Sequence, residues 1–353
     1  MMLLYFIGLG NLYSASTARI DDAVILSSHY QKQILWGAGG LIVMIIAMGF
    51  DYHRIKSISH FFYVGTILSL ILVLIAGKLA MGARRWIDLG FFQFQPSEFA
   101  KIAVIIMVAE ILSKDGTQLD WKELGKVCAI TILPATLIIL QPDLGTAMML
   151  FFIMSGMALY HGVKKQILKT VFFSIPPILV SAWFFLLHDY QKRRITTFLD
   201  PSSDPLDAGY HIMQAKIAIG SGQLLGKGWM QGTQSQLRFL PEKHTDFAIA
   251  VFGEEWGYVG CIAIITLFSL FMLSMVNTVK DAKDRFGSTL VAGIMIYFFC
   301  QIFINIGMVL GILPIVGIPL PFISYGGSAT LQNFALVGLV MNISMHRFMF
   351  RAK

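Results

Sequence analysis

The sequence predicts an all-α polytopic membrane protein with about ten transmembrane helices and one long extracytoplasmic loop. Of its 353 residues, 56% are hydrophobic and only 13% are charged, and the mean hydropathy is +0.70. An average soluble domain carries about 25% charged residues. The apolar runs are about 17 residues or longer, which suits membrane-spanning helices, whereas a membrane β-barrel would show alternating segments of about 10 residues.

The apolar runs give the predicted helices in chain order. They lie near residues 2–18, 33–50, 57–77, 97–113, 124–142, 144–162, 170–188, 256–279, 286–312 and 329–345. The span at 97–113 is unusual because it contains Glu98, Lys101 and Glu110. The last two spans come from one stretch without Asp, Glu, Lys or Arg, which we divide at the Gly and Pro residues of 311–321 because they interrupt helices.

The lysine and arginine residues orient the bundle. Fourteen of them lie in one set of loops and the tail, namely 51–58, 113–126, 162–169, 277–285 and 346–353, whereas six lie in the opposite short loops. Positive loops face the cytoplasm. We therefore expect a multi-pass protein of the cytoplasmic (inner) membrane with both termini cytoplasmic. The net charge of +7 is explained by these loops and does not indicate a nucleic-acid partner.

We expect residues 1–353 to form a single transmembrane domain, with the long extracytoplasmic loop 189–247 between spans seven and eight. A structureless loop of this length would be unusual. Tyr210, Met213 and Ile217 predict a short amphipathic helix within it, lying along the membrane. The glycine-rich segment 220–229 lacks the Lys-Ser/Thr end of a phosphate-binding loop, so a flexible loop is the better interpretation.

Several polar groups on the outer side are candidates for function. Glu98 and Lys101 are three residues apart and share a helix face, so they form either an intramembrane ion pair that holds the helix or, with Arg84 and Arg85, an anion-binding site. Asp143 lies in a tight turn between two spans, where it fits a functional residue and a helix cap equally well. The basic triplet of Lys192, Arg193 and Arg194 suits a phosphate or a lipid head group, and it equally fits a solvated loop face.

The densest polar cluster runs from Arg238 to Glu255, directly before the eighth span. It includes His244 and Asp246 but offers no third ligand at a spacing typical of zinc sites, and no Ser-His-Asp arrangement. Ionisable residues beside a membrane are functional candidates, because burying charge near hydrocarbon is unfavourable. Asp246 is therefore a candidate catalytic residue, and the alternative is that it caps the eighth span.

Seven motifs resemble the SEDS family of bacterial cell-wall enzymes, and the match is to its RodA, or rod-shape, branch. They include Leu-Pro-Glu-Lys-His-Thr-Asp-Phe at 240–247, and the others lie at 84–90, 95–98, 141–146, 188–191, 232–236 and 319–328. The resemblance covers nearly the whole chain. One departure is that the first span begins almost at Met1, where members of the family usually carry a cytoplasmic segment.

The resemblance implies a peptidoglycan glycosyltransferase that polymerises lipid II at the outer face of the cytoplasmic membrane, for cell elongation and rod shape. It implies a class B penicillin-binding protein as the transpeptidase partner, beside other membrane proteins of the elongation machinery. It also places the catalytic aspartate of the family at Asp246, so the active site would be extracytoplasmic.

On this basis we expect Asp246 to act as general base in one inverting displacement. The leaving pyrophosphate needs positive charge, and the candidates are Arg84, Arg85, Lys101, Arg193, Arg194 and Arg238. Glu98, Asp143, His244, Ser324 and Ser328 complete the predicted substrate-binding set. No carboxylate cage is evident, so we expect no tightly held metal or other cofactor, and a loosely bound divalent cation is left open.

Two other classes of function are compatible with the sequence. A lipid II flippase would fit ten spans with intramembrane Glu98 and Lys101, although the polar groups cluster on one side of the membrane. A scaffold that only activates a penicillin-binding protein would form no polymer by itself. Polymerisation and lipid-flipping assays on the purified chain separate these alternatives.

Overall fold

The computed structural model describes residues 1–20, 23–26, 28–80, 83–88, 90, 93–114, 118–187, 189–200, 204, 208–237, 239–240 and 242–346. The helices are α1 (Met2–Ser16), α2 (His29–Gly49), α3 (Tyr52–Ala76), α4 (Pro96–Leu112), α5 (Trp121–Ile139), α6 (Leu144–His161), α7 (Lys165–Ser181), α8 (Asp189–Leu199), α9 (Ala208–Ser221), α10 (Thr233–Gln236), α11 (Ala248–Asp281), α12 (Arg285–Val309) and α13 (Gly327–His346). A π-helical turn, Ala182–Leu186, follows α7. The helical membrane fold predicted from the sequence is confirmed.

Within these described residues, α1 to α7 and α11 to α13 coincide with the ten predicted spans. Six stretches are long and apolar enough on their own to cross a bilayer: His29–Gly49, Tyr52–Ala76, Leu144–His161, Lys165–Phe185, Ala248–Asp281 and Arg285–Val309. The remaining four spans are shorter or more polar, which is typical of helices that are shielded from lipid by their neighbours.

Short side chains and prolines determine several helix starts. Pro96 is the first residue of α4, a position that suits proline because the first amides of a helix have no partner within the helix. Asp51 caps α3 by accepting a hydrogen bond from the His53 amide. Asp120 and Glu123 form a reciprocal capping box at the start of α5. Each cap satisfies amides that the helix leaves without partners.

Two small antiparallel sheets lie in segments that the sequence analysis treats as plain loops. One pairs β1 (Thr17–Ile20) with β2 (Ala23–Leu26), and the other joins β3 (Lys78–Ala80), β4 (Ala83–Asp88) and β5 (Gln93–Phe94) in that order. The hairpins connect successive spans and satisfy backbone groups close to the membrane. The fold is thus helical with these minor strands added.

The chain folds as two compact units, each built from segments that are distant in sequence. Unit 1 comprises 1–34, 168–271 and 301–326, and unit 2 comprises 35–167, 272–300 and 327–353. The prediction of a single domain is not tested by this division.

Within unit 2, helix α4 packs against α3, α5, α6 and α13. Nearly all side chains of α4 are buried by these neighbours. The neighbouring helices therefore shield its ionic groups from the lipid.

Within unit 1, helix α11 is broken at Gly257, whose φ and ψ are 63° and −161°. The glycine-rich segment 222–228 fills the break. The amides of Lys227 and Gly228 donate to the carbonyls of Glu254 and Glu255 at 3.0 Å, and the Tyr258 amide donates to Gln223 at 2.9 Å. The segment is therefore held by the backbone of α11, and its interpretation as a flexible loop is wrong.

We expect Gly257→Ala to destabilise the protein strongly. Its backbone conformation is almost exclusive to glycine, and an added Cβ would lie 2.3 Å from the Gly226 amide nitrogen. The expected loss is about 2 kcal/mol or more, seen as a lower melting temperature of the purified protein. Gly220→Ala is the matched control, because nothing lies within 4 Å of its Cβ position. Equal melting temperatures for the two variants would contradict the prediction.

The long loop 189–247 contains helices α8, α9 and α10. The helix predicted around Tyr210, Met213 and Ile217 is confirmed as α9. Its buried face is formed by Ile212, Ala215 and Ala218, whereas Met213 and Ile217 are exposed. The orientation along the membrane stays a prediction, and it is consistent with these two exposed apolar side chains.

Candidate functional site

Asp246 lies in a tight turn that leads into α11. The turn begins at Glu242, whose φ is 47°, and the Thr245 and Phe247 amides donate to the Glu242 carbonyl at 3.1 and 3.4 Å. Helix α11 begins at Ala248, so the N-cap position belongs to Phe247. Asp246 lies one residue before that position. The Asp246 side chain is half-buried. The catalytic role of Asp246 and the capping alternative both stay predictions.

The segment 317–325, which is distant in sequence, holds the turn in place. The Ser324 hydroxyl donates to the Thr245 carbonyl at 2.6 Å, and the Tyr325 amide donates to the His244 carbonyl at 2.8 Å. In addition, the Asn305 side-chain amide donates to the Asp246 carbonyl at 3.0 Å and to Ile318 at 2.8 Å. Three consecutive carbonyls of the turn are thereby fixed, so the position of the Asp246 backbone is well defined.

Gly317 lies directly beside the Asp246 carboxylate. Its φ is +72°, and a Cβ built on it would lie 3.5 Å from Oδ2 of Asp246. Glycine adopts this left-handed backbone conformation readily, and it adds no side chain of its own beside the carboxylate. A carboxylate on a fixed turn with a glycine as one neighbour can be approached by a substrate hydroxyl.

His244 belongs to an aromatic cluster beside the turn. Its ring stacks on His29 with a centroid distance of 4.8 Å, and the His29 ring meets Tyr325 edge-on at 5.0 Å. Burial lowers the pKa of His244, and the nearby His29 and Lys243 lower it further. The imidazole is therefore neutral at pH 7 and offers a hydrogen bond rather than a charge.

Two buried residues of the charged cluster that are not in the predicted substrate-binding set organise the surroundings. The Lys243 ammonium group donates to the Ser235 carbonyl, which connects the Asp246 turn to α10. Glu254, which is 0% exposed, accepts hydrogen bonds from the Lys227 ammonium group at 2.7 Å and the Gln234 amide at 3.0 Å. Glu254 thus fixes the start of α10. Both residues lie within the charged cluster that the sequence marks.

The basic candidates of unit 1 take separate positions. Arg193 forms an ion pair with Asp204 at 3.0 Å, and Arg194 donates to the Ile315 carbonyl at 3.3 Å. Both side chains are exposed. Arg238 lies outside the described residues. Ser324 is buried and its hydroxyl serves the turn, accepting from the Leu320 amide at 2.9 Å as well as donating to Thr245.

In unit 2, Glu98 and Lys101 form the ion pair expected from their spacing. The Lys101 ammonium group lies 2.7 Å from Oε1 of Glu98, and the two side chains are 3% and 7% exposed. The ammonium group also lies 5.3 Å from the centre of the Tyr297 ring. Oε2 of Glu98 has no hydrogen-bond partner among the described residues. Oε2 of Glu254 is likewise without a hydrogen-bond partner among the described residues, so this feature alone does not distinguish a structural pair from a binding site.

The other candidates of unit 2 bind backbone or cap helices. Arg85 donates to the Gln141 carbonyl at 3.0 Å and to the Pro142 carbonyl, and it thereby holds the turn that carries Asp143. Exposed Arg84 donates to Ile75 at 3.2 Å. Ser328, near the start of α13, donates to the Gln93 carbonyl at 3.0 Å. Roles of these residues in substrate binding stay predictions.

Asp143 caps α6, which is one of the two alternatives left open by the sequence. It accepts hydrogen bonds from the Thr146 amide at 3.2 Å and the Thr146 hydroxyl at 2.9 Å.

We expect Asp143→Ala to lose about 1 kcal/mol of stability and Asp143→Asn to keep it, because asparagine caps equally well. Melting temperature and polymerisation rate are measured for both variants. If Asp143 only caps, the asparagine variant keeps full activity, and a loss of activity there would show that its charge is needed.

Within the described part of the chain, no group of three or more His, Cys, Asp or Glu side chains is arranged to hold a metal ion. The expectation of no tightly held metal or other cofactor, with a loosely bound divalent cation left open, stays a prediction.

Comparison with known proteins gives the family of the chain. The family model for FtsW, RodA and SpoVE, described as cell cycle protein, matches residues 1–348. The chain belongs to this family. The peptidoglycan glycosyltransferase MrdB of Escherichia coli K12 is 43% identical over 312 residues, which are 88% of this chain and 84% of that protein. The peptidoglycan glycosyltransferase RodA of Treponema pallidum is 32% identical over 98% of this chain and 96% of its own length.

A solved structure that describes the coordination of polymerisation and crosslinking by a peptidoglycan synthase complex has the same fold. Its matching chain has a TM-score of 0.83 and 26% sequence identity, covering 99% of this chain and 97% of its own length. The resemblance stated from the motifs is therefore confirmed at the level of the family and of the membrane fold. The family members named here share nearly the full length with this chain.

Proposed function

We propose that this membrane protein polymerises lipid II into glycan strands at the outer face of the cytoplasmic membrane, with Asp246 as general base. The chain is a peptidoglycan glycosyltransferase that serves cell elongation and rod shape, as its similarity to MrdB and RodA proteins indicates. The observation that carries the residue assignment is the fixed turn that presents the half-buried Asp246 carboxylate beside Gly317.

The chemistry requires one base on the protein side. Asp246 removes the proton from the attacking sugar hydroxyl while the oxygen displaces the lipid-linked pyrophosphate at the anomeric carbon of the donor. An α-linked donor gives a β-linked product in a single displacement. General bases act best when hydrogen-bond geometry is set in advance, and the hydrogen bonds from Asn305, Ser324 and Tyr325 to the turn supply that constraint.

A pyrophosphate leaving group needs positive charge rather than a proton donor. Arginine suits this role because its planar guanidinium presents five donors. In unit 1, Arg194 uses one contact to a carbonyl and is exposed, so most of its donors face solvent. In unit 2, Lys101 is the buried cation, and Glu98 offsets its charge until a phosphate competes for it. We propose these residues as phosphate ligands, together with Arg84, Arg85 and Arg193.

The partner we propose is a class B penicillin-binding protein that crosslinks the strands. This proposal is supported by the similarity to a chain whose structural description concerns coordinated polymerisation and crosslinking. Lipid II as substrate, the outer location of Asp246 and the cytoplasmic termini are likewise proposals. They are supported by the loop charges and by the chemistry of the site.

The decisive experiment is polymerisation by the purified full chain. We expect detergent-solubilised protein with lipid II to give long glycan strands with β linkages, detected by gel electrophoresis and by digestion with a β-specific muramidase. A parallel assay measures lipid II flipping in vesicles. Flipping without polymer would support the transporter alternative. The scaffold alternative would be supported if polymer formed only when a penicillin-binding protein supplied its own glycosyltransferase activity. Either result would overturn the proposed function.

A further inference from the structure

A cavity of about 270 Å³ lies among α3, α4 and α5, at the opposite end of α4 from Glu98 and Lys101. Its apolar lining consists of Met107, Ile111 and Ile130. Its ionisable lining consists of His60, Glu110, Lys114, Glu123 and Lys126. A small cavity with apolar and charged parts is suited to part of an amphiphilic ligand, because its volume lies just below the usual range of ligand pockets, which begins at about 300 Å³.

Glu110 is the buried acidic group of this cavity, with its side chain 9% exposed. The Ser59 hydroxyl donates to Oε2, the Lys114 ammonium group lies 3.2 Å from Oε1, and His60 lies 3.5 Å from Oε2. Buried charge in a membrane helix is retained for function more often than for stability. None of these groups takes part in the chemistry proposed for Asp246.

Two exposed aromatic side chains beside the cavity indicate that it lies near the level of the lipid head groups. Trp121, two residues before Glu123 at the start of α5, is 52% exposed, and Phe61, next to His60, is 80% exposed. Exposed tryptophan is typical of the boundary between lipid and water, and an exposed phenylalanine faces the acyl chains. The loops on this side are the positively charged ones that we predict to be cytoplasmic. The nearest abundant ligand is therefore a phospholipid rather than a soluble metabolite.

The charges of the lining select the kind of head group. Lys114 and Lys126 provide two positive charges, and Glu110 and Glu123 provide two negative charges. A purely anionic head group would meet two carboxylates, and a purely cationic one would meet two ammonium groups. Both arrangements leave like charges close together, which is unfavourable. A head group that carries both signs is complementary to the set.

We propose that this cavity binds the head group of a phosphoethanolamine-type lipid. The phosphate contacts the Lys126 ammonium group and shares that of Lys114 with Glu110, which lies 3.2 Å from it. The primary ammonium group of the ligand donates to the Glu110 carboxylate and to Oε1 of Glu123, whose Oε2 accepts from the Asp120 amide in the capping box. The apolar residues Met107 and Ile130 contact the glycerol end. The inference concerns a second site and does not depend on the role of Asp246.

The test is native mass spectrometry of the full chain in detergent, titrated with matched short-chain phospholipids. We expect phosphatidylethanolamine to bind about tenfold more tightly than phosphatidylcholine, whose trimethylated nitrogen has no proton to donate, or phosphatidylglycerol, which has no ammonium group. Lys126→Ala should weaken the binding of phosphatidylethanolamine about tenfold, and Glu110→Gln should remove the preference over phosphatidylcholine. Lys122→Ala is the matched control, because Lys122 is exposed on the same helix and is not among the lining residues.

Clear outcomes overturn the proposal. Phosphatidylglycerol binding as tightly as phosphatidylethanolamine would show a site for anions, and equal binding of all three lipids would show unspecific association. Equal affinities for the Lys126→Ala and Lys122→Ala variants would also overturn it. Because Lys126 is exposed, its variant is expected to fold normally, so the result stands even if Glu110→Gln is unstable.

Discussion

Replacing Asp246 by asparagine is expected to abolish polymerisation of lipid II while leaving the protein folded. Asparagine has nearly the same shape, and the contacts that fix the turn involve backbone carbonyls of Thr245, His244 and Asp246. The substitution removes the negative charge and the basicity of the side chain. General bases contribute about 10² to 10⁴ in rate, so we expect at least a ~100-fold lower kcat with little change in KM.

The measurement is the initial rate of glycan formation by purified protein, together with its melting temperature. Glu242→Gln is the matched control, since it neutralises an exposed carboxylate at the start of the same turn. It should keep a rate within a few-fold of the unchanged protein. If Asp246→Asn polymerises as fast as Glu242→Gln, Asp246 is not the base. A fall in both rate and melting temperature would instead favour a structural role for the carboxylate.

The membrane fold could be predicted because long apolar runs and loop charges are local properties of the sequence. The ten spans predicted from them agree with α1 to α7 and α11 to α13 to within a few residues at most ends. The main exception is α11, which begins at Ala248 rather than near 256. Glu254 and Glu255 interrupt the apolar run, so the sequence assigned that segment to the preceding loop. Both side chains are buried within unit 1, and the helix therefore includes them.

The short hairpins and the break at Gly257 could not be predicted, since they depend on pairing between segments. The carbonyls of Glu254 and Glu255 bond to residues 227 and 228, far from them in sequence. A glycine in a helical pattern suggests a break only weakly, because glycine is often tolerated there. The partner that fills the break is a property of the folded chain.

The candidate site was predicted in part. Asp246 was found because charge beside a membrane span is unfavourable unless it is used, and because the motif at 240–247 resembles a known family. Its support by Asn305 and Ser324 was not predicted, because those contacts join residues 59 and 79 positions apart. The available signal for Asn305 was its polar side chain inside an apolar helix. Its hydrogen bonds now give that side chain a positioning role.

The second large effect is expected at the buried pair of Glu98 and Lys101. Breaking a buried ion pair by removing one partner leaves an uncompensated charge and costs about 3 to 5 kcal/mol. We therefore expect Lys101→Met to lower the melting temperature strongly and Glu98→Gln to lower it as well. The double variant should recover most of the stability, because no unpaired charge is left. A double-mutant cycle of these three variants should therefore give a large coupling free energy.

Lys78 and Asp88 provide the matched control cycle. Their side chains approach to 2.8 Å, close to the 2.7 Å of the buried pair, but they are 53% and 39% exposed. Water and salt screen exposed pairs, so Lys78→Met and Asp88→Asn should show almost no coupling. The contrast between the two cycles isolates the effect of burial from that of distance.

The activity of the double variant separates the two interpretations of the pair. If Glu98 and Lys101 only hold α4, polymerisation should return together with the melting temperature. We expect instead that stability returns and polymerisation does not, because Lys101 then no longer offers a cation to the substrate phosphate. A stable double variant with the rate of the unchanged protein would reduce the pair to a structural element.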